Sequence, residues 1–154
     1  MADLAARVHE ALWRRGQTAA CAESLTGGEL AAALSRAPGA SATFLGAVVS
    51  YATAVKQDLL GVTAERVVSV ECATQMAAGV RRLLGADWAV STTGVAGPER
   101  QEDQPVGTVY VGLAGPDGAR AIALQLEGER HTIRASSCHE ALRALLEALG
   151  DADG

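Results

Sequence analysis

The sequence predicts an α/β domain of three layers, with helices on both faces of a mixed sheet. Three observations carry this reading. Short apolar runs alternate with helical patterns three times between residues 18 and 92, and a pair of strand-like runs then follows, joined by Gly115-Pro116-Asp117-Gly118. The chain is also 49% hydrophobic but only 3% aromatic, so its core must be built from Ala, Leu and Val, which suits close packing of helix on sheet. A length of 154 residues fits one domain, expected over 1–150, with 151–154 as a frayed tail.

The first element is an amphipathic helix over Met1 to Arg15, with Leu4, Val8 and Leu12 on one stripe. Thr18 to Ala22 reads as a short buried strand and Gly28 to Ser35 as the helix leaving it, broken by Pro38-Gly39. Phe44 to Tyr51 is the second strand, and Thr53 to Leu60 is a helix that Gly61 can stop. Ser69 is placed to cap a helix carrying Cys72, Met76, Val80 and Leu83 at helical spacing, with Gly85 as its stop before the strand Trp88 to Thr92. Gly94 to Pro105 is polar and rich in breakers, a long loop of the kind that covers a site. Gly107 to Leu113 and Ala121 to Leu126 form the hairpin, and a helix from about Arg130 to Leu149 closes the chain.

A net charge of −5 with scattered arginines and few aromatics argues against a nucleic-acid partner. No apolar run reaches the roughly 20 residues of a membrane span, and the N-terminal stretch lacks the pattern of a signal peptide. Cys21, Cys72 and Cys138 are odd in number and widely spaced, fitting neither a disulfide framework nor a zinc site, so a reducing cytoplasm is the expected compartment. His9, His131 and His139 form no metal-ligand group, and no cofactor is implied. The apolar fraction and acidic balance are compatible with a homo-oligomer, a dimer being the simplest.

Two features point to chemistry. Ala22-Glu23-Ser24-Leu25-Thr26-Gly27-Gly28 joins a strand to a helix through a tight glycine-bearing loop, where Ser24 is exposed at a bend and backbone N–H groups are free to meet an anion. The alternative is that Ser24 or Thr26 simply caps the helix. Lys56 is the only lysine among 13 cationic residues. Arginine substitutes for lysine in solubility and ion pairing but not as a proton acceptor near neutral pH, so Lys56 is a candidate base; the alternative is a lysine left on a solvent face. Tyr51, five residues earlier, can relay the serine proton to it or be an ordinary core or edge tyrosine. Thr93-Gly94 opens a second strand-to-loop corner. Arg130 and Arg134 share one helical face and can clamp a phosphate, or can pair with Glu127 and Glu129.

In order along the chain these segments resemble the C-terminal domain of the CinA family. The matching segments are Ala22 to Gly28, Pro38-Gly39-Ala40-Ser41, Tyr51 with Lys56 and Leu60-Gly61-Val62, Val68-Ser69 with Glu71 and Ala73, Thr93 to Pro98, Pro105 to Tyr110, and Gly128 with Arg130 and Arg134. The chain differs in carrying Leu25 where the family has cysteine and Ala52-Thr53 where it has serine-asparagine. It is shorter between Gly61 and Ser69, and Glu99 to Gln104 is acidic and lacks the family's glycines.

The resemblance implies a nicotinamide mononucleotide (NMN) deamidase: metal-free hydrolysis of the carboxamide to nicotinic acid mononucleotide and ammonia. It implies Ser24 as nucleophile, Lys56 as base and Tyr51 as relay. Thr26, Gly27, Gly28, Ser41, Thr93 and Gly94 would line the pocket, with Arg130 or Arg134 on the nucleotide phosphate. A ligand-binding domain without turnover and an amidohydrolase for another small amide are the alternative readings. Which corner holds the oxyanion is open at this level.

Overall fold

Helix α1 (Ala2–Arg15) forms because Ala5, Val8, Ala11 and Leu12 recur on one stripe, which is buried; Asp3 in its first turn and Arg14 and Arg15 in its last complement the helix dipole, and Gly16 ends it at φ 63°. The computed structural model describes residues 1–150. The tail expected to fray, 151–154, lies outside them. After α1 come β1 (Ala19–Glu23), α2 (Glu29–Ser35), a 3₁₀ turn at Ala40–Ala42, β2 (Phe44–Val49), α3 (Thr53–Leu60) and α4 (Val70–Leu84). Strands β3 (Trp88–Gly94), β4 (Thr108–Gly115) and β5 (Gly118–Gln125) and helix α5 (Arg130–Ala148) complete the chain. Ser69 caps α4 as expected, its hydroxyl accepting the Cys72 N–H at 3.0 Å.

The sheet order is β2-β1-β3-β4-β5. β1 pairs in parallel with β2 and β3, whereas the β3–β4 and β4–β5 pairings are antiparallel, so the sheet is mixed. Because β1 is buried on both faces, its side chains alternate between two cores. Ala19 and Cys21 meet the layer of α1, α2 and α5, whereas Ala20 and Ala22 meet that of α4 and the end of α3. Small residues let these layers close. A Cβ on Gly112 in β4 would overlap the Ala73 carbonyl oxygen of α4, and the Ser91 hydroxyl of β3 donates to that carbonyl at 2.6 Å. This contact explains why a chain so poor in aromatics packs well: α4 lies almost directly on sheet backbone.

Several boundaries differ from expectation. Strand β2 stops at Val49, two residues before Tyr51, and β3 runs on to Gly94, because Gly94 pairs with Val109. Gly115 closes on Gly118, so the hairpin turn is only Pro116-Asp117 and both strands reach further than the four turn-forming residues suggested. Val95, Ala96 and Gly97 are buried, making the start of the long loop a wall and not a surface cover.

The order of strands also fixes where a ligand can sit. From β1 the chain crosses through α2 to β2 on one side, then through α3 and α4 to β3 on the other. Such a reversal leaves a crevice at the carboxyl ends of β1 and β3.

Candidate functional site

At that crevice lies a cleft of about 460 Å³. Its walls include Ser24 after β1, Tyr51 after β2, Lys56 of α3, Val67 and Val68 before α4, Thr93 to Gln101 at the end of β3 and beyond it, and Arg130 of α5. Each comes from a strand end, a helix start or a connection at one end of the sheet. Five separate segments of the sequence therefore converge.

Ser24 continues the β1 ladder by one bond, its N–H donating to the Thr92 carbonyl at 3.0 Å, and then turns, its own carbonyl accepting from Gly27 N–H at 3.0 Å. Gly27 takes φ 57° in this turn, a conformation that an L side chain enters at a cost. Ser24 is not the cap of α2, which is Gly28.

Lys56 is 2% exposed, so the solvent-face reading is set aside. Its Nζ donates to the Ser50 carbonyl at 2.6 Å and to that of Tyr51 at 3.4 Å, which anchors the amine to the end of the β2 segment. Burial pushes the lysine below its ordinary value, with the neighbouring Cys72 and Glu102 acting in the opposite direction. Tyr51 is 58% exposed, neither core nor edge strand, and its hydroxyl accepts from Arg130 Nη2 at 2.9 Å. Arg130 Nη1 donates to the Gly97 carbonyl at 2.7 Å, so this guanidinium bridges two walls of the cleft.

Other residues expected at the pocket lie elsewhere. The anion-binding corner at the start of α2 is occupied from within: the buried Glu23 carboxylate accepts from the N–H groups of Gly28 at 3.2 Å, Leu30 at 2.9 Å and Ala31 at 2.9 Å. Gly27 and Gly28 thus do not line the cleft. Nor does Thr26, whose buried hydroxyl meets that of Thr92 at 2.8 Å. Arg134 turns to Glu29 at 3.1 Å and to the Thr26 carbonyl at 3.3 Å, covering the turn from outside the cleft. Ser41 precedes β2, at the amino end of the parallel strands, whereas the cleft is at their carboxyl end.

Thr93 and Gly94 do line it, although the Thr93 hydroxyl is used to hold the Val67 carbonyl at 2.6 Å. Sequence reasoning missed the roles of Glu23 and Glu102. Glu23 carried a signal, an acid between a buried strand and a glycine-rich helix start. Glu102 carried none, because its partners lie 34 and 35 residues away. Among the described residues no group of three or more His, Cys, Asp and Glu is placed to hold a metal, and no helix is long and apolar enough to cross a membrane.

The family model of the CinA C-terminal domain matches residues 1–149. A CinA-like protein of Frankia casuarinae is 53% identical over 136 residues, 85% of this chain and 31% of that protein. One from a Synechococcus species is 44% identical over 155 residues, 96% of this chain and 37% of that protein. The chain thus spans about a third of these relatives' length. A crystal structure of a CinA superfamily protein from Klebsiella pneumoniae superposes with a TM-score of 0.93 at 35% identity, covering 97% of each chain. With its sheet order, its convergent strand-end corners and these likenesses together, the chain belongs to the CinA C-terminal domain family.

Proposed function

We propose that this domain is an amidohydrolase that converts NMN and water to nicotinic acid mononucleotide and ammonia. The observation that carries the reading is Lys56: the sole lysine, buried, depressed by desolvation, and held by two backbone carbonyls in the wall of the cleft that Ser24 also lines. A neutral amine in that position is a base for a serine hydroxyl that cannot ionise unaided.

In the proposed reaction Ser24 Oγ attacks the carboxamide carbon as its proton passes to Lys56 Nζ, directly or through the Tyr51 hydroxyl. The carbonyl oxygen takes up negative charge, and the Leu25 backbone N–H, next after the nucleophile and in the cleft wall, is the donor assigned to it. The C–N bond then breaks, and the proton on Lys56 leaves with the nitrogen as ammonia. Water attacks the acyl-serine, gives a proton back to Lys56, and the ester bond breaks to release the carboxylate. The proton held on Lys56 returns to Ser24 Oγ, and the second proton of the water passes to solvent as the new acid ionises. Arg130 at the cleft mouth is the phosphate partner in this assignment, since Arg134 is engaged with Glu29.

The experiment measures ammonia and nicotinic acid mononucleotide from NMN with the natural chain, Ser24→Ala and Lys56→Ala, alongside nicotinamide as a competing substrate. Turnover of NMN that falls at least about a hundredfold in both variants supports the assignment. NMN bound without turnover by the natural chain overturns it in favour of a binding domain, and faster hydrolysis of nicotinamide moves it to another small amide.

A further inference from the structure

The segment 99–104 has an unusual backbone. Glu102 and Asp103 stand at φ 51° and 60°, the left-handed region that glycine occupies freely and that other residues enter only when something holds them there. What holds Glu102 is its own side chain. Its carboxylate accepts the Val67 N–H at 3.0 Å and the Val68 N–H at 2.7 Å, the two backbone donors just ahead of the Ser69 cap. Gln104 Nε2 adds a bond to the Val68 carbonyl at 2.5 Å, and Gln104 N–H closes on the Gln101 carbonyl at 2.9 Å. A glycine here would relieve the backbone but could not make the carboxylate bonds.

These bonds have a direction. Val67 and Val68 line the cleft beside Lys56, so a carboxylate fastened to their N–H groups stands behind the lysine's side of the site. The charged and titratable groups around Lys56 are Cys72 from α4 and Glu102 from this segment, with Tyr51, Glu99, Arg100 and Arg130 on the same cleft. Of these, Glu102 is the carboxylate fastened to the Val67 and Val68 wall that Lys56 shares, and its charge acts to raise the lysine against the desolvation that lowers it.

We propose that Glu102 is a positioning residue of the site, fixing the 99–104 segment as a rigid wall and setting its carboxylate behind the Val67 and Val68 side of the cleft that Lys56 also lines. It touches no reacting atom. It acts on when Lys56 is free to take a proton, opposing the desolvation that favours the neutral amine. The inference rests on Lys56 as the base of the proposed reaction, but its physical content is measurable without turnover.

Because Lys56 is the only lysine, protein grown with lysine carrying 13C at Cε gives one side-chain resonance, and its pH titration reads this amine alone. In Glu102→Gln the midpoint is expected to move to lower pH than in the natural chain, and the acid limb of kcat/KM for NMN to move with it. A folded Glu102→Gln whose lysine midpoint is unchanged overturns the proposal, even if its melting temperature falls, since that is all a structural clamp would do. Should Glu102→Gln not fold, the Val67 and Val68 amide shifts of the natural chain serve instead. They must titrate together with a carboxyl midpoint; shifts that stay flat through the acid range overturn the clamp. A natural chain that does not turn over NMN defeats the proposed reaction, while the lysine resonance still decides the role of Glu102.

Discussion

A buried amine and three buried thiols share this small domain, and desolvation acts on them oppositely. It makes Lys56 easier to deprotonate and the cysteines harder, because in each case the neutral form is favoured. Cys72 is pushed up to about 11 and Cys138 to about 12, and Cys21, fully buried between sheet and helices, is raised well above the usual thiol range. A thiol reacts as its thiolate, so all three are expected to resist iodoacetamide at pH 8 and to label together only on unfolding. Mass spectrometry of the alkylated native protein checks this, and rapid modification of Cys72 in particular would mean that the cleft side of α4 is open to solvent.

At the level of elements, α2 is held by a residue outside it. Glu23 ends β1, yet its carboxylate satisfies three N–H groups at the start of α2, joining strand and helix across the turn that presents Ser24. Glu23→Ala leaves those buried donors without an acceptor and is expected to cost about 3 kcal/mol or more, read as a lower urea midpoint with an unchanged slope. Glu23→Gln keeps one oxygen and should cost less.

The same element shows what a sequence can reveal. The ends of α3 and α4 and the start of α4 were legible because Gly61, Gly85 and Ser69 stand where local chemistry places them. Ser24, Tyr51 and Lys56 were legible as a group because all three follow strand ends, which a parallel sheet brings to one edge. The glycine-rich turn misled, since a helix N-terminus reads as an open anion site until the carboxylate filling it is seen. Ser41 misled for a topological reason: preceding a strand puts it at the other end of the sheet. Glu102 and the split between Arg130 and Arg134 depend on contacts across the fold, which no local pattern encodes.

For the molecule as a whole, one sheet divides two cores, and neither core closes without β1 and β3. Burying a lysine in this structure links stability to pH with a definite sign. The folded-state pKa of Lys56 lies below its ordinary value of 10.5, so between the two the unfolded chain binds more protons and stability rises with pH. Below the folded value the full cost of charging the buried amine is present. The stability difference between the natural chain and Lys56→Met should therefore move in favour of the natural chain as pH rises toward 10.5, measured by chemical denaturation at a series of pH values. A difference flat across that range would mean that the amine keeps its ordinary affinity for protons despite its burial.

The pairing of Glu23 with Thr92 carries one more consequence, in time and not in energy. The β4–β5 hairpin closes over a two-residue turn and can form early, but β1 must wait for β3 to reach it across a long stretch of chain. During synthesis, Ser24 leaves the ribosome long before the strand that will position it. The Ser24 corner can then be assembled only once β3 has emerged, and a nascent chain halted before residue 88 holds the serine and the lysine but no cleft.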